Sequence, residues 1–188
     1  MMKIIFIRHG KTPGNLEKRY IGRTDESLCE LGEKELLCRK YPDADIVICS
    51  PMKRCIQTAK LIYPDKKAVI YSDLRECDFG DFEGKNYTEL CQNPDYINWL
   101  ESMGTLPFPN GEKHDDFVNR CADAFEKSAA YFKEYNKIAY VVHGGTIMSV
   151  LEKFAVPKKE FYDYQIGNGC GYICEYDCGK IEILEELL

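Results

Sequence analysis

The sequence predicts an α/β fold, a three-layer α/β/α sandwich around a mainly parallel central sheet. Short, continuous apolar segments, typical of strands buried on both faces, alternate along the chain with segments of helical periodicity. Polar groups follow three of the apolar segments directly. Ligands of such sheets bind beyond the carboxyl ends of the strands, so these strand ends are the expected position of a functional site.

Four apolar segments predict the strands of the parallel sheet, at residues 3–7, 45–49, 68–71 and 138–142. Helices are predicted over residues 30–40, 52–62, 88–101 and 114–135, and over a last segment that follows Gly144-Gly145 and ends near Phe154. Pro51 stands where the first turn of a helix begins, and Asn93-Pro94 breaks the helical segment around it.

The remaining segments are predicted as loops and a closing hairpin. Residues 104–111 contain two prolines and two glycines, which indicates a loop. Residues 172–176 and 180–184 predict a hairpin around Asp177-Cys178-Gly179. No repeat, linker or low-complexity segment divides the chain, so residues 1–188 are expected to form a single domain.

The composition excludes several classes of function. Of the 188 residues, 45% are hydrophobic and 30% are charged, which is ordinary for a globular protein. The net charge of −6 gives no general affinity for nucleic acid or anionic membranes. No segment has the length and apolarity to span a bilayer, and the apolar stretch before Arg8 is too short for a signal peptide. A cytoplasmic protein with reduced thiols is therefore expected.

The ten cysteines are spread along the chain without close pairs. The nearest set is Cys170, Cys174 and Cys178, whose spacing lacks the pairs of a zinc site. On one strand this spacing puts all three side chains on the same face, so we expect packing residues and no metal site.

Two histidines stand at predicted strand ends in surroundings that suit an anion. His9 lies between Arg8 and Gly10, and His143 precedes two glycines and the start of a helix, whose amino end favours negative charge. Arg54 follows a third strand end by one helical turn. Two guanidinium groups and two imidazoles form a pocket suited to a tetrahedral dianion.

This set of groups predicts phosphoryl chemistry. A neutral imidazole attacks phosphorus when it is oriented and the phosphoryl charge is neutralised. The leaving oxygen then needs a proton, which a carboxylic acid of raised pKa supplies. Glu76 is the natural candidate, with Asp78 and Glu83 as nearby alternatives. His114 has no motif around it and is expected to be structural.

At this point four segments together resemble the histidine phosphatase superfamily, the phosphoglycerate-mutase-like clan. Each block is weak alone, but the four occur in the order of that family and span residues 4 to about 147. The blocks are Arg8-His9-Gly10-Lys11-Thr12 with Asn15 and Arg19-Tyr20-Ile21-Gly22, Ser50-Pro51-Met52-Lys53-Arg54 with Gln57-Thr58-Ala59, Leu74-Arg75-Glu76 with Phe79-Gly80-Asp81-Phe82-Glu83-Gly84, and Val142-His143-Gly144-Gly145-Thr146-Ile147.

The resemblance implies a role for each matched residue. His9 becomes phosphohistidine, and Glu76 acts first as the acid for the leaving group and then as the base for water. The phosphoryl oxygens are held by Arg8, Arg54 and His143, with Asn15, Arg19, Gly22 and Gly144 on the phosphate side. No metal or organic cofactor is implied. The family's Gly-Glu-Ser block is Gly111-Glu112-Lys113 here, which leaves the substrate contacts near Lys113 open.

Other phosphate and acyl chemistries fit the sequence less well. Gly10-Lys11-Thr12 lacks the earlier glycine of a P-loop, and no Gly-x-Ser-x-Gly elbow accompanies His143-Gly144-Gly145. Cys49 and Arg54 stand one residue too close for a cysteine-phosphatase loop. The aspartates at residues 43 and 45 precede their strand, whereas the aspartyl-phosphatase pattern has them after it.

The leading hypothesis is a phosphatase acting on a small phosphorylated metabolite, similar to the α-ribazole phosphatases of cobalamin assembly. A phosphoglycerate mutase using the same phosphohistidine is the alternative, although residues 76–111 lack the arginine-rich insert associated with mutases. A third hypothesis is a catalytically silent binding module that keeps the pocket. A monomer or homodimer is expected in each case, without nucleic acid or membrane partners.

Overall fold

A computed structural model describes residues 1–188. Six strands form one sheet: β1 (Met2–Arg8), β2 (Ile46–Cys49), β3 (Val69–Ile70), β4 (Lys137–Val142), β5 (Gly171–Asp177) and β6 (Lys180–Leu187). Their order across the sheet is β3-β2-β4-β1-β5-β6. The first four strands in this order are parallel, and β5 and β6 pair antiparallel at the β1 edge. The predicted α/β fold with a mainly parallel sheet is confirmed.

Seven helices accompany the sheet: α1 (Pro13–Leu16), α2 (Glu30–Leu37), α3 (Lys53–Ile62), α4 (Tyr87–Leu90), α5 (Pro94–Glu101), α6 (His114–Tyr131) and α7 (Gly144–Phe154). Three 3₁₀ turns cover Ser72–Leu74, Gly80–Phe82 and Phe161–Tyr164. None of the helices combines the length and the apolar character needed to cross a bilayer.

Strand β1 shows why the sheet is covered on both faces. Its side chains alternate, and Ile4 and Phe6 pack into a cluster that includes residues of α6 and α7. Ile5 and Ile7 face the other way, into a cluster that includes Cys55 and Ala59 of α3. A strand that is apolar from Ile4 to Ile7 therefore lies between two helical layers, which is the three-layer arrangement predicted.

A smaller aromatic cluster lies outside these two cores. Phe82, Leu90, Tyr96 and Trp99 pack together there, with Tyr20, Phe79 and Phe108 against them. Asn93 caps α5 by accepting from the backbone N–H groups of Asp95 and Tyr96, so the break predicted at Asn93-Pro94 separates α4 from α5. Trp99 and the three residues packed against the cluster line the cavity of the site described below.

Two predictions about local structure need correction. Helix α1 was not predicted; Thr12 caps it, with Pro13 in its first turn. The three spaced cysteines do not share one strand face: Cys170 precedes β5, Cys174 is buried within it, and Cys178 is exposed in the hairpin turn at φ 48°. Because Cys178 lies in the hairpin turn, only Cys170 and Cys174 are packing residues.

Candidate active site

Three parallel strands end at the same edge of the sheet and bring their next residues together. In the register of the sheet, Arg8 is level with Val142 and Cys49 is level with Val141. The residues that follow are His9, His143 and Ser50. The imidazole rings of the two histidines have centroids 5.2 Å apart in an edge-on arrangement. Ser50 Oγ lies 2.7 Å from His143 Nε2, which fixes the orientation of that second ring.

The hydrogen bond of His9 determines which of its nitrogens is free to react. Nδ1 lies 2.7 Å from the carbonyl oxygen of Gly10. A carbonyl oxygen only accepts, so Nδ1 carries the proton, and in the neutral ring Nε2 keeps its lone pair. The Gly10 N–H in turn donates to Thr58 Oγ1 at 2.9 Å, which ties the loop after β1 to helix α3.

Two arginines place permanent positive charge around His9. Arg8 donates from Nη1 to the Ile166 carbonyl at 2.6 Å, and its guanidinium packs against Gly144, where a Cβ would stand 3.3 Å from Nε. Arg54 is fully buried. In both arginines Nε is buried without a hydrogen-bond partner. Buried cations with unused donors form a site that favours an anion.

This environment keeps both imidazoles neutral. Burial, together with the charges of Arg54 and Arg8, lowers the pKa of His9 well below its usual value. The pKa of His143 is lowered well below its usual value by burial, by Arg54 and by His9. Desolvation and nearby cations both disfavour the protonated ring, so a nucleophilic imidazole is available near neutral pH.

Glu76 follows the 3₁₀ turn Ser72–Leu74 and reaches the same cavity. Its carboxyl accepts from the backbone N–H groups of Cys77 at 3.0 Å and Gly145 at 3.2 Å. Burial nevertheless raises the pKa of Glu76, with these hydrogen bonds and the arginines Arg54 and Arg8 acting in the opposite direction. A carboxyl of raised pKa in the same cavity as a neutral imidazole is suited to general acid catalysis.

The site opens into a cavity of ≈ 430 Å³. Arg8, His9, Asn15, Glu76 and Gly144 are among the residues that line it. Arg54 and His143 are fully buried behind this lining. The cavity is larger than a phosphate ion requires, so it has room for the rest of a small-molecule ester.

The sequence blocks that supply these groups lie within a match to a known family. The family model of the histidine phosphatase superfamily (branch 1) matches residues 4–186. This chain belongs to the histidine phosphatase superfamily. The predicted resemblance is therefore confirmed over nearly the whole chain.

Relatives of this chain are named for several activities. An adenosylcobalamin/α-ribazole phosphatase of Escherichia coli is 26% identical over 178 residues, covering 90% of this chain and 87% of the relative. A broad-specificity phosphatase of Saccharomyces cerevisiae is 32% identical over 166 residues, covering 81% and 70%. The solved phosphoglycerate mutase of Thermus thermophilus superposes with a TM-score of 0.77 at 26% identity, covering 100% and 99%. The phosphoglycerate-mutase-like fold is thus confirmed, and relatives named as phosphatases support phosphatase activity.

One residue at the site of this histidine phosphatase was not predicted. Asn168 donates from Nδ2 to the His9 carbonyl and to Asn15 Oδ1, each at 3.1 Å. It therefore joins the backbone of His9, the predicted nucleophile, to the predicted phosphate-side residue Asn15. The signal in the sequence is an asparagine between Gly167 and Gly169, a pattern that by itself predicts only a turn.

Two predicted phosphate contacts lie in other surroundings. The Arg19 guanidinium lines the cavity but donates to Glu17, Glu89 and the Gly84 carbonyl, so its charge is matched by carboxylates. Gly22 faces Arg54 instead of the cavity: its carbonyl accepts from Arg54 Nη2 at 2.9 Å. Arg19 and Gly22 therefore lie around the site, where they bond to other protein groups and not to the His9 imidazole.

Lys113 and its neighbour His114 lie in different surroundings. Lys113 is exposed and lies outside the cavity lining, whereas His114, expected to be structural, lines the cavity. The His114 ring stands edge-on to Phe161 at 4.8 Å, and its Nε2 is 3.9 Å from a Glu152 carboxylate oxygen.

Proposed function

We propose that this histidine phosphatase hydrolyses a small phosphomonoester and carries the phosphoryl group on His9 between two half-reactions. The observation that supports the proposal best is the hydrogen bond from His9 Nδ1 to the Gly10 carbonyl at 2.7 Å. It directs the lone pair of Nε2 away from the backbone, in a ring whose pKa is lowered by burial and by two cations.

In the first half-reaction, the Nε2 lone pair forms a bond to phosphorus while the bond from phosphorus to the ester oxygen breaks. The departing oxygen takes the proton of Glu76, whose carboxyl lines the same cavity. Arg8, Arg54 and His143 stabilise the charge on the phosphoryl oxygens, with Asn15 beside them. The Gly10 carbonyl stabilises the Nδ1–H of the phosphorylated ring, which bears a positive charge.

In the second half-reaction, water attacks the phosphoryl group and loses a proton to the Glu76 carboxylate. The bond from phosphorus to Nε2 breaks, and inorganic phosphate leaves. Glu76 is then protonated and His9 neutral, as at the start. One carboxyl thus serves as acid and then as base, so the cycle requires no further titrating group.

For the substrate, we propose a phosphorylated small molecule such as α-ribazole 5'-phosphate. This substrate gives the protein a role in cobalamin biosynthesis. The similarity to the α-ribazole phosphatase of Escherichia coli over 90% of this chain supports this choice. The alternative is a phosphoglycerate mutase, which the superposition with the Thermus thermophilus enzyme keeps open. A mutase passes the phosphoryl group from His9 to a second acceptor, whereas a hydrolase releases free phosphate.

The test is a rapid-quench experiment with a phosphate-labelled ester. We expect an acid-labile, base-stable label on His9, and free phosphate released at the rate of substrate loss. His9→Ala is expected to lose both label and turnover while keeping the thermal unfolding transition of the parent. Label that persists in His9→Ala on a cysteine or aspartate rules out the proposal, and label on His9 without free phosphate supports the mutase.

A further inference from the structure

Seven aromatic side chains line the cavity in addition to the groups around His9. We call the part of the cavity that they line the outer chamber, and its residues are Tyr20, Phe79, Trp99, Phe108, Phe117, Phe161 and Tyr162. These residues come from separate segments of the chain, including α5, α6 and the 3₁₀ turn Phe161–Tyr164. Phosphoryl transfer itself does not use an aromatic wall, so the outer chamber bears on the leaving group.

The wall begins directly beside the proposed acid. A Cβ added at Gly145 would overlap Glu76 Oε1 and stand 2.9 Å from Cζ of Phe117. The carboxyl and the Phe117 ring therefore contact the same point of the backbone. Because Glu76 protonates the ester oxygen, the carbon skeleton attached to that oxygen extends from the acid into the outer chamber.

The charges around the outer chamber argue against an anionic leaving group. The basic residues that line the cavity beyond Arg8 are Lys18, Arg19 and His114. Arg19 is engaged by Glu17 and Glu89, and His114 faces Glu152 at 3.9 Å. Lys18 is exposed. No buried, uncommitted cation in the lining of the outer chamber offers a partner for a carboxylate.

A single buried donor distinguishes this wall from a purely apolar one. Trp99 is 8% exposed, and its Nε1 is buried without a hydrogen-bond partner. The indole edge that carries Nε1 also carries Cζ2, which would stand 3.2 Å from a Cβ at Gly104, another residue of the cavity lining. A buried N–H without a partner is rare, which suggests that a ligand atom accepts from it.

We propose that the outer chamber binds a leaving group with a planar, uncharged aromatic ring that carries a hydrogen-bond acceptor for Trp99 Nε1. Aromatic side chains bind such a ring through edge-on and offset contacts, and the indole N–H fixes its orientation. Trp99 is then a specificity-determining residue. The inference rests on the proposed hydrolysis of a phosphomonoester and names the class of ester.

The test uses esters with similar alkoxide leaving groups. Benzyl phosphate is compared with cyclohexylmethyl phosphate for the ring, and with 3- and 4-pyridylmethyl phosphates for the acceptor, at a pH where pyridine is uncharged. We expect kcat/KM to favour benzyl over cyclohexylmethyl by roughly 2–10-fold, the worth of an aromatic contact. At least one pyridylmethyl ester is expected to exceed benzyl by up to about 10-fold, the worth of one hydrogen bond.

The matched variant is Trp99→Phe, which keeps an aromatic wall and removes the N–H. We expect it to abolish the preference for the pyridylmethyl esters and to leave the preference for benzyl over cyclohexylmethyl. Tyr87→Phe serves as the control, because it removes a hydroxyl from an exposed residue outside the cavity lining. This control is expected to keep both preferences.

Binding provides a readout that is independent of turnover. Trp99 is the only tryptophan of the chain, so its fluorescence reports on the outer chamber alone. We expect benzylphosphonate to change this fluorescence at lower concentration than cyclohexylmethylphosphonate. Equal kcat/KM values across the esters, or a better rate with 3-phosphoglycerate, overturn the inference. If all of these esters label His9 at the same rate, the proposed function stands while the inference fails; if none labels His9, the proposed function itself fails.

Discussion

The backbone N–H of Gly145 donates to Glu76 Oε2 at 3.2 Å, which fastens the proposed acid to the first turn of α7. The residue before α7 is His143, so the same turn positions the acid and the second imidazole. A side chain at position 145 would overlap Glu76 Oε1. Two sequence motifs that are about seventy residues apart thus meet in one close approach, at a glycine whose missing side chain leaves room for the carboxyl.

The role of Glu76 predicts different effects on two kinds of ester. Glu76→Gln removes the proton donor, and an alkoxide leaves poorly without one. We expect turnover of an alkyl phosphate to fall by roughly 10²–10⁴-fold, the usual worth of general acid catalysis. A phenolate such as that of p-nitrophenyl phosphate leaves without help, so phosphorylation of His9 by this ester is expected to fall far less.

The measurement is rapid-quench labelling of Glu76→Gln with both esters. Because water activation also requires Glu76 as base, phosphoenzyme is expected to accumulate with p-nitrophenyl phosphate. Glu83→Gln is the comparison, since Glu83 is the nearby carboxylate that sequence reasoning left as an alternative acid. Equal losses with both esters and no accumulating phosphoenzyme in Glu76→Gln contradict the assignment.

The raised pKa of Glu76 predicts a pH dependence whose sign follows from its role as acid. The carboxyl is active when protonated, so the rate with an alkyl phosphate falls as the pH rises through the pKa that burial raises. His9 reacts when neutral, and its lowered pKa places the acidic limb below the usual histidine range. With p-nitrophenyl phosphate, the alkaline limb of single-turnover phosphorylation is expected to disappear. An identical alkaline limb for both esters contradicts this prediction.

The fold was predictable where the local pattern and the tertiary environment agree. Strand β1 is apolar at each inner position and packs on both faces, as the pattern indicates. Helix α1 has only four residues and no apolar period, so its signals were limited to the Thr12 cap and Pro13 in its first turn. Strand β6 continues to Leu187 through Glu185 and Glu186, because pairing with β5 stabilises a segment whose sequence lacks a strand pattern.

The site was predictable to the extent that strand ends determine it. His9 and His143 meet because their strands are neighbours in a parallel sheet. The direction of the Arg19 side chain was not predictable, since it depends on Glu89, which is far away in sequence. Asn168 and the aromatic wall of the outer chamber depend likewise on contacts between distant segments, which no local pattern of residues encodes.

The distribution of charge predicts that activity does not depend on a metal ion. Arg8 and Arg54 supply permanent positive charge at the phosphoryl site, where many phosphatases use cations bound by carboxylates. No group of three or more histidine, cysteine, aspartate or glutamate side chains in the structure is placed to hold a metal ion. We expect unchanged kcat after exhaustive dialysis against EDTA. A loss of activity that magnesium or zinc restores contradicts the prediction.

Glu83 holds the segment on which Arg54 depends. Its Oε1 accepts from the backbone N–H groups of Gly22 and Thr24, each at 2.9 Å, and from Thr24 Oγ1 at 2.8 Å. The carbonyls of the same two residues accept from Arg54, at 2.9 Å from Gly22 and 2.8 Å from Thr24. The Glu83 carboxylate thus binds the backbone N–H groups of this segment, and the Arg54 guanidinium binds its carbonyls. Glu83 is therefore a positioning residue for Arg54.

Glu83→Ala is therefore expected to release this segment and to misplace Arg54. A displacement on the order of 1 Å at a group that stabilises the phosphoryl charge costs about 10²-fold in rate, so we expect kcat for His9 phosphorylation to fall by about that factor. Glu83→Gln keeps an acceptor at the same reach and is expected to restore most of the rate. Asp81→Ala is the matched control, because Asp81 is an exposed carboxylate of the same loop that bonds to Asn110 instead. If Glu83→Ala lowers the thermal unfolding midpoint but keeps kcat at the parent value, Glu83 has a purely structural role. That result contradicts the prediction.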